Sequence, residues 1–307
     1  MATALPKTYL EAATSDHTRR SYQGSVRHFE KWGGQLPAKK EAILAYLHRY
    51  APDLNPDTLS LRLTALRKWH ECQGFDDPTT KPEVAKTLAG IRRLHGQPKK
   101  KAPPLLPQQL AKIVASLNQQ ATLMACRDVA LLQVGYFGAL RRSELVAIRC
   151  EHLNWQTGGL ELMIPRSKTD STGEGQLCVL PYGNATLCPI TALKQWLESA
   201  NIESGYCFCA MQDKSRVKST PLTDEMVTII LRRHALAVGI EQADQMSSHS
   251  LRRGLATSAA RDGASMPAIM RQGRWRNTHT VMEYIDAANR FDDNAAAFVL
   301  NEMIENE

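Results

Sequence analysis

Between Gln97 and Pro104 the chain reads Gln-Pro-Lys-Lys-Lys-Ala-Pro-Pro, and no other segment limits its folding as much. Three prolines lock their own backbone torsions and bias the preceding residues away from helix, so this stretch favours an extended, polyproline-like path. Three successive lysines make it a basic tether. Neither flank can run continuously through it, so a chain of 307 residues divides here. The expected organisation is a helical domain over 1–97, a linker over 98–106 and a second domain over 107–307.

Charge divides at the same place. Residues 1–101 hold 18 Lys/Arg and 10 Asp/Glu, a net of +8, whereas the remainder holds 20 and 21, a net of −1. A basic domain beside a near-neutral one is the pattern of a polyanion clamp joined to something else, although charge alone also fits a solvated basic surface. Seven cysteines at irregular spacing include no Cys-x-x-Cys pair and no Cys/His set with zinc spacing. Reduced thiols in a cytoplasmic compartment are expected, with no metal and no cofactor. Met1–Leu10 has no apolar signal region, and the near-apolar stretch Val129–Leu140 is too short to span a bilayer, so no membrane association is expected.

Before the linker, apolar residues recur at helical spacing in four runs. Tyr22, Val26, Phe29 and Trp32 mark a helix over 15–32. Ile43, Leu44, Tyr46 and Leu47 mark one over 39–50. Leu59, Leu63, Leu66 and His70 follow the Asn55-Pro56-Asp57 start signal and stop at Gly74. Val84, Leu88, Ile91 and Leu94 follow Pro82 and stop at Gly96. Four such helices with short loops make a small bundle. Its candidates for contact with a phosphate backbone are Arg19, Arg20, Arg27, Arg62, Lys68, Lys86, Arg92 and Arg93, joined by Lys99, Lys100 and Lys101 of the linker. Each taken alone is as readily a solvated charge.

Beyond the linker the pattern is mixed. Helices are expected at 107–117, 121–137, 142–147, 188–199, 224–237, 250–261, 266–272, 278–285 and 293–306. Strands are expected at 159–164 and 176–180, joined by a polar turn that carries Arg166 and Lys168. Cys207 and Cys209 alternate about Phe208 as on a short strand.

Three blocks in this half hold the reactive residue types: Leu140-Arg141-Arg142-Ser143-Glu144-Leu145, His249-Ser250-Leu251-Arg252-Arg253-Gly254, and Gly273-Arg274-Trp275 with Val281-Met282-Glu283-Tyr284-Ile285. Singly, each has a plain structural explanation. Arg141 and Glu144 make a one-turn ion pair, His249 and Arg252 face solvent, and Tyr284 sits in a core stripe with Val281. In this order and register the blocks resemble the tyrosine recombinase family. Leu-Arg-x-Ser-Glu-Leu resembles its first arginine box, His-x-Leu-Arg its second, and a helical tyrosine downstream its nucleophile. Many members carry Leu-Gly-His before the nucleophile; here Gly-Arg-Trp stands there, and Trp275 takes the place of that histidine. The likeness covers about 107–290 by motif, and the N-terminal bundle agrees by architecture only.

The resemblance implies a mainly α fold with a small β-sheet: an N-terminal helical (SAM-like) core-binding domain and an α+β catalytic domain, forming a C-shaped clamp on DNA. It implies a site-specific recombinase that cuts and rejoins double-stranded DNA through a 3′-phosphotyrosine and a Holliday junction. Tyr284 is then the nucleophile. Arg141 and Arg252 bind the scissile phosphate, with Arg142 and Arg253 the register alternatives. Glu144 orients Arg141 or His249. His249 takes or shares the phenol proton, Lys168 protonates the leaving 5′-oxygen with Arg166 its rival, and Trp275 packs on the phosphate. Tyr136, Tyr182 and Tyr206 lie upstream of His249 and rank below Tyr284. A homotetramer on paired sites is expected, its C-terminal helix docking into a neighbour; packing of that helix on its own domain is the alternative. A non-catalytic DNA-binding protein, or a type IB topoisomerase or telomere resolvase, are the competing functions.

Overall fold

Helix starts in both halves of the chain fall where proline costs no hydrogen bond. The computed structural model describes residues 14–98, 100–165, 175–288 and 296. It divides into two compact units, Met1–Lys100 and Lys101–Glu307.

The first unit is built on α1 (Asp16–Lys31), α2 (Lys40–Tyr50), α3 (Pro56–Gln73) and α4 (Pro82–His95). Asn55 caps α3 by accepting the Asp57 N–H at 2.8 Å, Pro56 occupies the first turn, and Gly74 closes the helix with φ of 75°. Phe29, Tyr46, Leu59, Leu66 and Val84 are fully buried between the helices. His70, on the same apolar stripe, is fully buried as well. Its Nδ1 lies 2.8 Å from the Leu66 carbonyl and donates to it, while Nε2 accepts the Ala38 N–H at 2.9 Å. A polar ring at a core position is thus satisfied at both nitrogens.

In the second unit α5 (Pro107–Asn118) leads to α6 (Leu123–Phe137), which is buried almost all round and is the axis of the domain. Then come α7 (Arg142–Val146), an antiparallel sheet of β1 (Leu153–Gln156), β2 (Gly159–Ile164) and β3 (Gln176–Pro181), and α8 (Pro189–Ser199). A two-stranded ribbon, β4 (Cys209–Met211) and β5 (Val217–Pro221), precedes α9 (Asp224–Ala237), α10 (Ser248–Arg261), α11 (Met266–Gly273) and α12 (Thr278–Ala288). Leu105, in the segment expected to be linker, is fully buried, and its N–H donates to the Ser250 carbonyl at 3.0 Å. Cys207 and Phe208 are both fully buried, and the strand begins only at Cys209. The expected helix over 293–306 lies outside the described residues. No described helix is long and apolar enough to cross a membrane.

Two cores serve the second unit. The larger gathers α5–α10 and the sheet around Leu131, Tyr136, Leu162, Trp196, Phe208 and Leu231. The smaller one joins α10, α11 and α12 through Ala256, Ala260, Ile269, Val281 and Ala288, with Trp275, Tyr284 and Ile285 packed against it.

One ionic cluster sits inside the larger core. Asp128 is fully buried and accepts from Arg127 at 2.6 and 2.8 Å, from Arg233 at 2.9 Å and from His234 at 2.8 Å. Burial alone would push its carboxyl up. The His234 hydrogen bond and the Arg127 charge outweigh that and hold it below the ordinary value. Because the folded value is depressed, the stabilisation is present at neutral pH and is lost as pH falls through it. Asp128→Ala is expected to cost about 3–5 kcal/mol in urea unfolding at pH 7, because it strands the buried Arg127 cation.

Candidate active site

Three junctions between elements bring the reactive side chains together. At the first, α6 ends at Phe137, and Ala139 turns the chain with a left-handed φ of 44°. Arg141 then starts α7. The Glu144 carboxylate reaches back to accept the Arg141 backbone N–H at 3.0 Å and its guanidinium at 2.5 Å. The side chain of Glu144 is 2% exposed, that of Arg141 22%, so the arginine keeps an open face. Burial pushes Glu144 up. The Arg141 backbone N–H, the Arg274 charge and the Arg141 side chain prevail and hold it below its ordinary value.

The second junction is the start of α10. Ser247 caps it by accepting the His249 N–H at 3.2 Å, so the helix starts at Ser248, two residues before the expected 250. Arg252 is buried and points back across the domain, donating to the Ala139 and Gly273 carbonyls. Its guanidinium lies 4.1 Å from the Trp275 ring centre. Burial, then the Arg141 and Arg274 charges, push it down to about 9, so it stays cationic at neutral pH. His249 has an exposed edge, yet desolvation and then Arg252, Arg142, Arg141 and Arg253 lower its pKa below 6.5. Gly254 lets α10 approach Leu105 closely: a Cβ there would lie 1.9 Å from the Leu105 carbonyl oxygen.

At the third junction α11 ends in Gly273, Arg274 takes a left-handed φ of 55°, and Trp275 folds back over Gly273. The Trp275 and Tyr284 ring centres are 5.5 Å apart. The Arg253 guanidinium lies 5.8 Å from the Tyr284 ring centre. Tyr284 on α12 thereby joins Arg252, Arg253 and Trp275 within one chain.

Of the sequence-predicted residues, Arg141, Glu144, His249, Arg252, Trp275 and Tyr284 converge here. Of the two partners expected for Glu144, it is Arg141 that binds it. Arg142 makes an ion pair with Asp224 at 2.9 Å. Lys168, Arg166 and Lys99 lie outside the described residues; the first two fall between Ile164 and Gln176, which pair across β2 and β3. Lys101 pairs with Glu283 at 2.8 Å, one residue before Tyr284. In the first unit Arg20, Arg27, Lys86, Arg92, Arg93 and Lys100 are exposed. Arg19 pairs with Asp16, and Lys68 with Glu71 at 2.6 Å. Arg62 turns inward and donates to the Tyr46 hydroxyl at 3.0 Å beside the His28 ring. Sequence reasoning missed Arg274, which the structure buries against Glu144 at 3.1 Å. Among the described residues no group of three or more His, Cys, Asp or Glu side chains could hold a metal ion.

A family profile described as the phage integrase family matches residues 104–290, a span that includes all three junctions. The chain belongs to the phage integrase family. Phage integrase relatives align along most of it. The integrase/recombinase xerD homolog of Selenomonas ruminantium is 34% identical over 298 residues, covering 94% of this chain and 87% of the relative. The recombinase cre of Escherichia phage P1 is 27% identical over 300 residues, covering 89% and 84%. The integrase fold recurs in solved structures. A XerH site-specific recombinase bound to palindromic difH substrate aligns with a TM-score of 0.62 at 18% identity, over 84% of this chain and 72% of that one. A lambda integrase tetramer bound to a Holliday junction aligns with a TM-score of 0.63 at 16% identity, over 92% and 75%.

Proposed function

We propose that this chain is a site-specific DNA recombinase whose nucleophile is Tyr284. The phenolic oxygen attacks a DNA phosphorus, the bond to the 5′-oxygen breaks, and a 3′-phosphotyrosine forms. The released 5′-hydroxyl takes its proton from Lys168. Attack of a partner strand's 5′-hydroxyl on the phosphotyrosine reverses these steps. The ester conserves the energy of the broken bond, so rejoining uses no nucleotide. Two rounds on paired duplexes pass through a Holliday junction and need four such sites, hence a homotetramer. The segment 289–307 is assigned to joining neighbours. The basic residues of the first unit and the linker grip the duplex backbone, which sets affinity rather than sequence. The protein acts in the cytoplasm on chromosomal or phage DNA.

Arg141 and Arg252 neutralise the charge that grows on the non-bridging oxygens. A guanidinium suits this because it is planar and stays protonated. His249, uncharged at pH 7 given its lowered pKa, accepts the phenol proton. Trp275 donates its indole N–H to the phosphate. The observation that most supports this reading is the convergence of Tyr284 with Trp275 and Arg253, beside Arg252, inside one chain.

The decisive experiment uses a nicked recognition duplex, from which the cleaved fragment diffuses away. Wild type should accumulate a denaturant-resistant protein–DNA adduct and exchange strands between two copies of the site. Absence of the adduct on a duplex that the protein binds specifically would remove the proposal. A pH dependence follows with a defined sign. The cleavage rate should be flat above pH 7 and fall as pH drops below 6.5, where His249 becomes protonated. His249→Gln should lower the plateau by about 10²- to 10⁴-fold and erase that limb.

A further inference from the structure

We propose that Arg274 is a positioning residue of this site, holding Glu144 against Arg141 and the Ala139 carbonyl against Arg252 before any phosphate arrives. The proposal rests on the recombinase reading above. Arg274 is the C-cap of α11 in a left-handed conformation, with φ of 55°. A residue with a Cβ is disfavoured there and glycine is not. Its side chain is 4% exposed. Holding an arginine at such a position, and burying it, calls for a compensating role.

Its contacts indicate that role. One terminal nitrogen donates to the carbonyls of Gln272 at 3.0 Å and Gly138 at 3.2 Å. The other donates to Glu144 Oε2 at 3.1 Å and to the Ala139 carbonyl at 3.4 Å. Glu144 thus has two cationic partners: Arg141 on Oε1, Arg274 on Oε2. The Ala139 carbonyl likewise receives both Arg252 and Arg274. One buried guanidinium therefore touches the partner of each phosphate-binding arginine, while the 138–139 turn and the end of α11 are tied together. At 4% exposure, with both terminal nitrogens engaged by protein oxygens, the Arg274 guanidinium is closed to a ligand from solvent. Its Nε is buried without a partner, so the side chain is not a fully satisfied packing element.

The charged and titratable groups around Glu144 come from several elements. They are Arg141 at the N-cap of α7, Arg252 on α10, Arg274 after α11 and the Cys178 thiol on β3, with His152 lining the small cavity beside the carboxylate. Removing Arg274 leaves burial of the carboxylate less well opposed, so Glu144 should protonate at higher pH and release Arg141.

The test compares wild type, Arg274→Gly and Arg274→Lys in single-turnover cleavage of the nicked duplex, with melting temperature and DNA affinity measured alongside. Arg274→Gly relieves the backbone strain, so a loss of rate cannot be assigned to that strain. It is expected to cleave about 10- to 100-fold more slowly with DNA affinity unchanged. The ratio of wild-type to variant rate should grow as pH falls toward the carboxylate range, since Glu144 takes up its proton at higher pH in the variant while His249 titrates in both and cancels. Arg274→Lys keeps the charge and should recover much of the rate and a ratio flat with pH. Arg274→Gly cleaving at the wild-type rate with a flat ratio would overturn the proposal. So would Arg274→Lys showing the pH-dependent ratio expected of the glycine variant, a comparison that stands even if the glycine variant does not fold. If wild type forms no adduct, it is the recombinase reading that fails instead.

Discussion

Tyr284→Phe should bind its recognition duplex as wild type does and form no adduct with it, a loss of more than about 10⁴-fold in cleavage. The substitution removes one oxygen and keeps the ring. The contacts that hold the ring are to Trp275 at 5.5 Å and to the Arg253 guanidinium at 5.8 Å, and both are face or edge contacts that phenylalanine retains. The melting temperature should move little. Among the described residues of the second unit, no other tyrosine is placed to substitute. Tyr136 is 1% exposed and donates to Ser258, and burial pushes its phenol up to about 12. Tyr206 lies under Arg149, its ring centre 5.1 Å from that guanidinium, and Tyr182 sits beside Lys194. An adduct formed by Tyr284→Phe, mapped by peptide sequencing to any other residue, would overturn the assignment.

Elements whose start is written in local chemistry were legible from sequence. Asn55-Pro56, Pro82 and Pro107 begin helices at the positions their missing donors predict. The helix over 224–237 and the strand over 159–164 have the bounds that their apolar runs indicate. Two strands were not legible and a third was misplaced. β1 is nearly all exposed, with Trp155 39% exposed, and so is β5, so neither carries an alternation of burial, while the alternation about Phe208 indicated a strand from Cys207 and β4 begins only at Cys209. The blocks of the site were readable because each holds its chemistry within a few residues. What escaped depends on contacts distant in sequence. Arg62 looks like any basic residue on a helix surface; only the fold shows that His28 and Tyr46 receive it. Arg274 sits among Arg271 and Arg276 and is distinguished by a left-handed turn and by carbonyls from the far end of α6, neither of which the sequence displays.

The second large effect is expected at Arg252. Arg252→Ala removes the cation proposed to bind the phosphate and also a strut between the Ala139 and Gly273 carbonyls. Loss of one preorganised charge-stabilising donor costs about 10²- to 10³-fold in rate, and Arg252 carries the formal charge as well, so the upper end is expected. The strut contributes separately. Without it the Gly273 carbonyl loses a donor, at about 1–3 kcal/mol if no water replaces it, whereas the Ala139 carbonyl keeps Arg274 at 3.4 Å. Arg252→Lys separates the two roles. An ammonium keeps the charge but not the planar fork that reaches Ala139 and Gly273 together while stacking on Trp275 at 4.1 Å. If charge at that point were all that mattered, the lysine variant would cleave within a few-fold of wild type. We expect it instead to lose about 10²-fold, because a loose cation must be ordered anew in the transition state. Single-turnover rates measured well below each variant's melting temperature distinguish the two outcomes, and a lysine variant as fast as wild type would assign Arg252 a charge role alone.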